Sequence, residues 1–241
     1  MFFDPLYLMM MAPALLLSLA ATLLTRGVFK KYSTVRASSG MTGAQAADRM
    51  MHSQGVFDVK IERTEGFLSD HYDPTKKVLR LSPDVYDSGS LSAIGVACHE
   101  AGHAIQHARA FAPLALRTVL VPLAQFGSTA SYWIIMAGFL MMGMQSAGGH
   151  GLALMLVKIG IVCFSATVVF ALVTLPVEWD ASRRAKAHMV SSMIVGPGQE
   201  VAAGRVLNAA FLTYVAAAVS AVLTLLYYLL KSGLLGGRRD D

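Results

Sequence analysis

His99-Glu100-Ala101-Gly102-His103 is the stretch on which the reading of this chain turns. Residues four apart on an α-helix lie on one face, roughly 40° apart around the axis. His99 and His103 can therefore offer two ring nitrogens to one ion at about 2.0–2.1 Å. Glu100, beside the first, carries a carboxylate able to take a proton from water that the ion activates. This His-Glu-x-x-His spacing suits zinc-dependent hydrolysis of peptide bonds. The surroundings favour a helix over 91–110, with Ser90 or Ser92 as N-cap and no proline before Pro113. Gly102 costs about 1 kcal/mol against alanine inside a helix, and close packing on a neighbour is one reason to keep it.

The rest of the chain sets the environment of that helix. Hydrophobic residues make up 55% of it and charged residues 15%, a membrane composition. Residues 5–25 carry no charge, and neither do residues 206–230. Between Arg117 and Glu178 the only ionised side chain is Lys158. That interval holds two spans, since one needs about 20 residues. Four transmembrane helices are expected, at 5–25, 119–143, 152–176 and 206–230, with a turn at 145–151 joining the middle pair. The first segment starts with Asp4 instead of a basic cluster and has a long apolar run, so it reads as a retained anchor rather than a cleaved signal peptide. Gly127, Gly138 and Gly143 suggest close helix packing, within one chain or between chains.

Charge sets the expected orientation. Residues 26–117 carry twelve Lys or Arg and residues 183–205 four more, whereas the opposite side has Lys231, Arg238 and Arg239. Basic loops stay cytoplasmic. This puts 26–117 and 178–205 in the cytosol and both termini outside, with Lys158 snorkelling near the outer end of the third span. The net charge of +5 then reflects topology and affinity for anionic lipid, and gives no reason to expect nucleic acid. Cys98 and Cys163 have no CxxC partner, so no disulfide framework is expected.

Residues 26–117 form the main soluble block. Thr42-Gly43-Ala44-Gln45 resembles a capping box opening a helix that Gly55 ends. Residues 56–62 and 77–81 alternate apolar and polar, as strands do. Residues 66–72 look like a loop, with Asp73-Pro74 as a turn. A β-ribbon before the motif helix is the result; it either aligns an extended substrate at its edge or simply caps the helix. The block is small for a core of its own and is expected to lean on the membrane helices.

A catalytic zinc needs a third protein ligand. His107 would lie about 12 Å along the helix from His99, too far for one ion. The better source is Leu175-Pro176-Val177-Glu178-Trp179-Asp180-Ala181-Ser182, where the third span ends on the side of the histidine helix. Pro176 suggests a new helical turn there. Two carboxylates, Glu178 and Asp180, then reach the same membrane surface.

Several segments together resemble the YugP-like family of bacterial membrane zinc metallopeptidases. They are Ser69-Asp70-His71-Tyr72-Asp73-Pro74, Leu81-Ser82 through Tyr86, Val96 through Gln106, Leu175 through Ser182, and Leu207-Asn208-Ala209-Ala210 with Leu212-Thr213-Tyr214-Val215. Trp179 stands where phenylalanine is expected and Ala101 where a larger aliphatic residue is common, and neither is a proposed ligand. The resemblance implies a multi-span protein of the bacterial plasma membrane, one Zn²⁺ per chain and a polypeptide substrate. The fold expected is mainly α, with four transmembrane helices and a small α/β zincin-like cytosolic domain made of the active-site helix and the β-ribbon.

Roles follow from both readings. His99, His103 and Glu178 are expected to hold zinc, with Glu100 as general base. Asp180 is expected to hold a histidine N–H, although it and Glu178 could exchange roles. His71 is either a hydrogen-bond donor to an oxyanion or substrate backbone or an exposed loop residue. The motif helix is too polar to be a span, which places the chemistry in water at the cytosolic membrane surface. There it would meet unfolded segments or membrane-protein tails. The alternative is a catalytically inactive zinc-binding membrane scaffold. A transporter is disfavoured, because the spans carry one charge.

Overall fold

The computed structural model describes residues 4–66, 69–144 and 150–235. Their order is α1 (Pro5–Ser33), α2 (Gly43–Ser53), β1 (Lys60–Arg63), β2 (His71–Asp73), β3 (Val78–Leu81), α3 (Pro83–Tyr86), α4 (Leu91–Ala108), α5 (Ala112–Gly143), α6 (His150–Ser191) and α7 (Gln199–Lys231). The protein is mainly helical. Among the described residues, α1, α5, α6 and α7 are long and apolar enough to cross a membrane. Leu15, Leu16, Val119 and Val162 are largely exposed on them, a surface that suits lipid rather than water. Of the turn expected at 145–151, residues 145–149 lie outside the described residues, as do Arg238 and Arg239; His150 and Gly151 already belong to α6.

Two compact units divide the chain. One comprises Met1–Leu19, Leu116–Thr174 and Val215–Asp241. Its core gathers Ile135, Val157, Ile161, Tyr227 and Tyr228. Helices approach closely at Gly127, where an added Cβ would stand 2.6 Å from the Cys163 carbonyl oxygen, and at Gly138 against Val157. Among the described residues Gly143 has no such neighbour, so its expected packing role is not seen there.

The other unit comprises Ala20–Ala115 and Leu175–Tyr214. Thr42 opens α2 with the expected box: Gln45 N donates to Thr42 Oγ1 at 3.3 Å and Thr42 N to Gln45 Oε1 at 3.0 Å. Gly55, at φ +73°, turns the chain out of the helix. Ala46, Ala47, Met50 and Met51 of α2 join Ile94, Ala97, Cys98 and Ala101 of α4 in one core. Ala185 and Met189 of α6 and Ala203, Val206 and Leu207 of α7 complete it, so the soluble block shares its core with the two later helices.

Two sequence expectations need correction. The β-ribbon is a three-stranded sheet of order β1-β3-β2, with β1 parallel and β2 antiparallel to β3. Strand β2 falls in the expected loop, of which Phe67 and Leu68 lie outside the described residues. Three residues are too few to show a period, and pairing of Tyr72 with Leu79 makes the strand. Val56 is not in β1 because its N–H closes the end of α2 on the Met51 carbonyl at 3.0 Å. The second correction concerns Pro176, which starts no new helix; α6 runs through it. A proline inside a helix costs about 3 kcal/mol. Beyond it Val177, Ala181, Ala185 and Met189 form one fully buried stripe at four-residue spacing. Burying its valine and methionine alone contributes about 1.5–3 kcal/mol each, enough to offset the proline.

Candidate metal centre

Helix α4 begins at Ser90, whose hydroxyl accepts from Ala93 N at 3.2 Å, and presents His99 and His103 from consecutive turns. Their rings meet edge to face with centroids 4.8 Å apart. Helix α6 brings Glu178 against them. Its Oε2 lies 3.0 Å from His99 Nε2 and 3.6 Å from His103 Nε2. One ligand atom from each residue lies within 4.8 Å of the other two.

This donor set fits zinc. Four ligands at about 2.0–2.1 Å in a tetrahedron stand roughly 3.3 Å from one another, and the Glu178 Oε2 separations fall on either side of that figure, at 3.0 Å from His99 Nε2 and 3.6 Å from His103 Nε2. Two ring nitrogens and a carboxylate oxygen are all acceptors, and their convergence calls for a cation between them. Three protein donors beside open space is the composition of a catalytic rather than a structural zinc site. Burial works against ionisation of Glu178. Its contacts with the His103 and His99 rings more than offset burial and hold the carboxyl well below its usual range.

The far side of each imidazole is also held. His99 Nδ1 lies 3.1 Å from Ser182 Oγ, and His103 Nδ1 lies 3.0 Å from Gln106 Oε1. Gln106 Nε2 donates to the Val177 carbonyl at 2.8 Å and to Asp180 Oδ2 at 3.0 Å. Both of its donors therefore face acceptors, which fixes the carboxamide and makes His103 Nδ1 the donor to Oε1. The proton on Nδ1 leaves Nε2 with a lone pair toward the centre.

The expected residues divide as follows. His99, His103 and Glu178 come together. Asp180 touches no histidine; it acts on His103 through Gln106 and binds Arg183 and Arg184. Burial would raise its carboxyl, but Arg184, Gln106 and Arg183 hold it below the usual range. His71 is not brought to the group. Its Nδ1 binds the Ser69 carbonyl and its Nε2 faces Arg80, because alternation along β2 turns it from α4. The next residue takes its place: Tyr72 N donates to Glu100 Oε2 at 3.1 Å. His107 binds the Tyr72 hydroxyl at 2.8 Å, and burial pushes that phenol up to about 12. Gln106 and Ser182 were missed. Their signals were spacings: three residues after His103 and four after Glu178.

A cavity of about 370 Å³ opens beside the group, lined by His99, Glu100 and Glu178 together with Asp70, Arg26 and Ser182. Burial raises the Asp70 carboxyl against hydrogen bonds from Ser82, and the Glu100 charge adds to that rise.

Among its described residues the chain therefore combines four helices long and apolar enough to cross a membrane with a two-histidine, one-glutamate group that could hold a metal. Residues 7–233 match the family described as "Putative neutral zinc metallopeptidase", and the chain belongs to that family. It is 42% identical, over 236 residues covering 98% of this chain and 100% of the relative, to the "Putative membrane protease YugP" of Bacillus subtilis (strain 168). No solved structure matches.

Proposed function

We propose that the protein is a zinc-dependent endopeptidase working at the cytosolic surface of the cell membrane. His99, His103 and Glu178 would hold the ion, one per chain. Zinc so placed supplies a Lewis acid that acidifies water and polarises a carbonyl. Glu100 takes the proton from the attacking water and returns it to the amide nitrogen as the peptide bond breaks. The Tyr72 N–H keeps the Glu100 carboxylate in one orientation. Ser182 and Gln106 hold the imidazoles, and Asp180 steadies Gln106. The small sheet with α4 is read as a zincin-like core. Strand β2, at the edge of that sheet, suits backbone pairing with an extended substrate. The cytosolic placement rests on the basic residues of 26–117 and 183–205.

The observation that carries this reading is the convergence of His99, His103 and Glu178, 79 residues apart at the His99–Glu178 pair, beside a carboxylate that binds none of them. Metal analysis and casein cleavage by the wild type, His99→Ala, Glu178→Ala and Glu100→Gln test it. Zinc should vanish from the first two variants and cleavage from all three. Retention of zinc by Glu178→Ala would move the third ligand elsewhere. Equal behaviour of wild type and Glu100→Gln in every protease assay would favour the inactive scaffold.

A further inference from the structure

The cavity beside the metal group has a second wall that hydrolysis does not require. It is built from two helices: Thr22, Thr25 and Phe29 of α1, and Val206, Ala210 and Tyr214 of α7. Spacings of three to four residues put each trio on one helical face. At 1.5 Å per residue the stripes are roughly 10–12 Å long. The helices are joined at Thr25, whose hydroxyl donates to the carbonyls of Ala21 and Ala209 at 2.8 and 2.9 Å. This engages the hydroxyl and leaves its methyl as the contact group.

Both stripes run out of the charged part of the chain and into uncharged runs. Thr22 and Thr25 belong to the run 5–25, and the three α7 residues belong to the run 206–230. Arg26 borders the cavity where charge begins. Thr22 is exposed, on a helix apolar enough to cross a membrane. One cavity is thus lined both by His99, Glu100 and Glu178 and by residues of the two uncharged runs. A peptidase for soluble chains has no use for a groove along its own spans. One that takes its substrate from the bilayer needs it, because only there is the occupant apolar and already held beside the membrane.

We propose that the groove between α1 and α7 receives a polypeptide segment where it leaves the lipid. Resting on the peptidase reading above, this narrows the substrates to membrane-anchored polypeptides. They are cut within about three to four extended residues of the end of a span, since a wall of roughly 10–12 Å accommodates no more. Apolar side chains lie on the membrane side of the scissile bond.

The test uses the full chain in phosphatidylethanolamine/phosphatidylglycerol vesicles. One peptide carries a Leu/Ala span of about 20 residues and an apolar-rich tail; a second is the same tail alone. The tethered peptide should be cut with kcat/KM at least about tenfold above the free tail, close to the span. Ala210→Phe, which fills the groove, should lower that preference about tenfold with zinc content unchanged. Equal rates on both peptides, or a preference untouched in both Ala210→Phe and Ala210→Leu, would overturn the proposal. A binding measurement separates its failure from that of the peptidase reading. The Glu100→Gln protein with photoreactive benzoylphenylalanine in place of Phe211, which lines the same cavity, should crosslink to the tethered peptide and not to the free tail. A crosslink without any cleavage by wild type keeps the groove and removes the hydrolase; no crosslink removes the groove.

Discussion

Gly102 of α4 and Ala181 of α6 meet backbone to backbone: a Cβ added at Gly102 would stand 2.7 Å from the Ala181 carbonyl oxygen. His103 adjoins one side of this contact, and Asp180 and Ser182 adjoin the other. The missing side chain is therefore what lets the glutamate of α6 reach the imidazoles of α4. Alanine at 102 would gain about 0.5–1 kcal/mol of helix propensity, but the neighbour is a main-chain carbonyl that cannot swing aside. Gly102→Val should part the helices, cost about 1–3 kcal/mol and lower zinc affinity at least about tenfold. Thermal melting and metal titration of one preparation measure both effects.

Glu100 is one residue from a proposed ligand, yet its carboxylate faces Tyr72 N rather than the other donors. Exchange for glutamine keeps size and the ability to accept from Tyr72 N while removing the base. Glu100→Gln should retain zinc and lose about 10²–10⁴-fold in kcat, the range general base catalysis supplies. Metal content beside single-turnover cleavage decides it. A parallel loss of metal would show that Glu100 serves as a ligand.

Legibility in the sequence followed the range of each cause. The two imidazoles were readable because helical geometry acts over four residues. Glu178 was readable because the charge pattern assigns its segment to the same side as α4. Gln106 and Ser182 carry equally regular spacings, but their roles depend on how α4 crosses α6, which no local pattern states. His71 stands out in the sequence and Tyr72 does not, because an imidazole looks like chemistry and a backbone N–H has no letter of its own. Helix α6 was expected to break at Pro176 because the stripe that stabilises it lies beyond the proline.

Gln106 links His103 to Asp180, so its loss should act on the metal rather than on the reacting groups. Gln106→Leu preserves bulk and leaves His103 Nδ1–H without its acceptor, an omission worth about 1–3 kcal/mol when buried. Zinc affinity should fall about 10–100-fold, and kcat at saturating zinc should fall far less. Competition with a chromophoric chelator reads the first quantity. Asp180→Asn should give a smaller shift in the same direction, because it acts one bond further out.

Ligands drawn from α4 and α6 mean that the ion ties two helices of one core together. Binding to the folded state alone stabilises it by about 4 kcal/mol at a thousandfold excess over Kd. Chelation should therefore lower the melting temperature of the wild type and leave His99→Ala unchanged. A scan with and without EDTA, followed by zinc add-back, measures the difference. Equal melting of the wild type in both would mean that the group holds no metal.

Orientation is the expectation with the widest reach, since it decides which polypeptides meet the site. The native thiols interfere little with mapping it. Cys98 is fully buried, and burial pushes its thiol up; Cys163 can be changed to serine. Thr75→Cys places a new thiol on the exposed turn between β2 and β3, and Leu235→Cys places one just beyond α7. If the sixteen basic residues of 26–117 and 183–205 hold these segments in the cytosol, an impermeant maleimide should label position 235 on intact spheroplasts. Position 75 should label only after permeabilisation. The reverse pattern would turn the site outward: Glu178 and the histidines would still converge, but the substrates would be the extracellular ends of anchored chains.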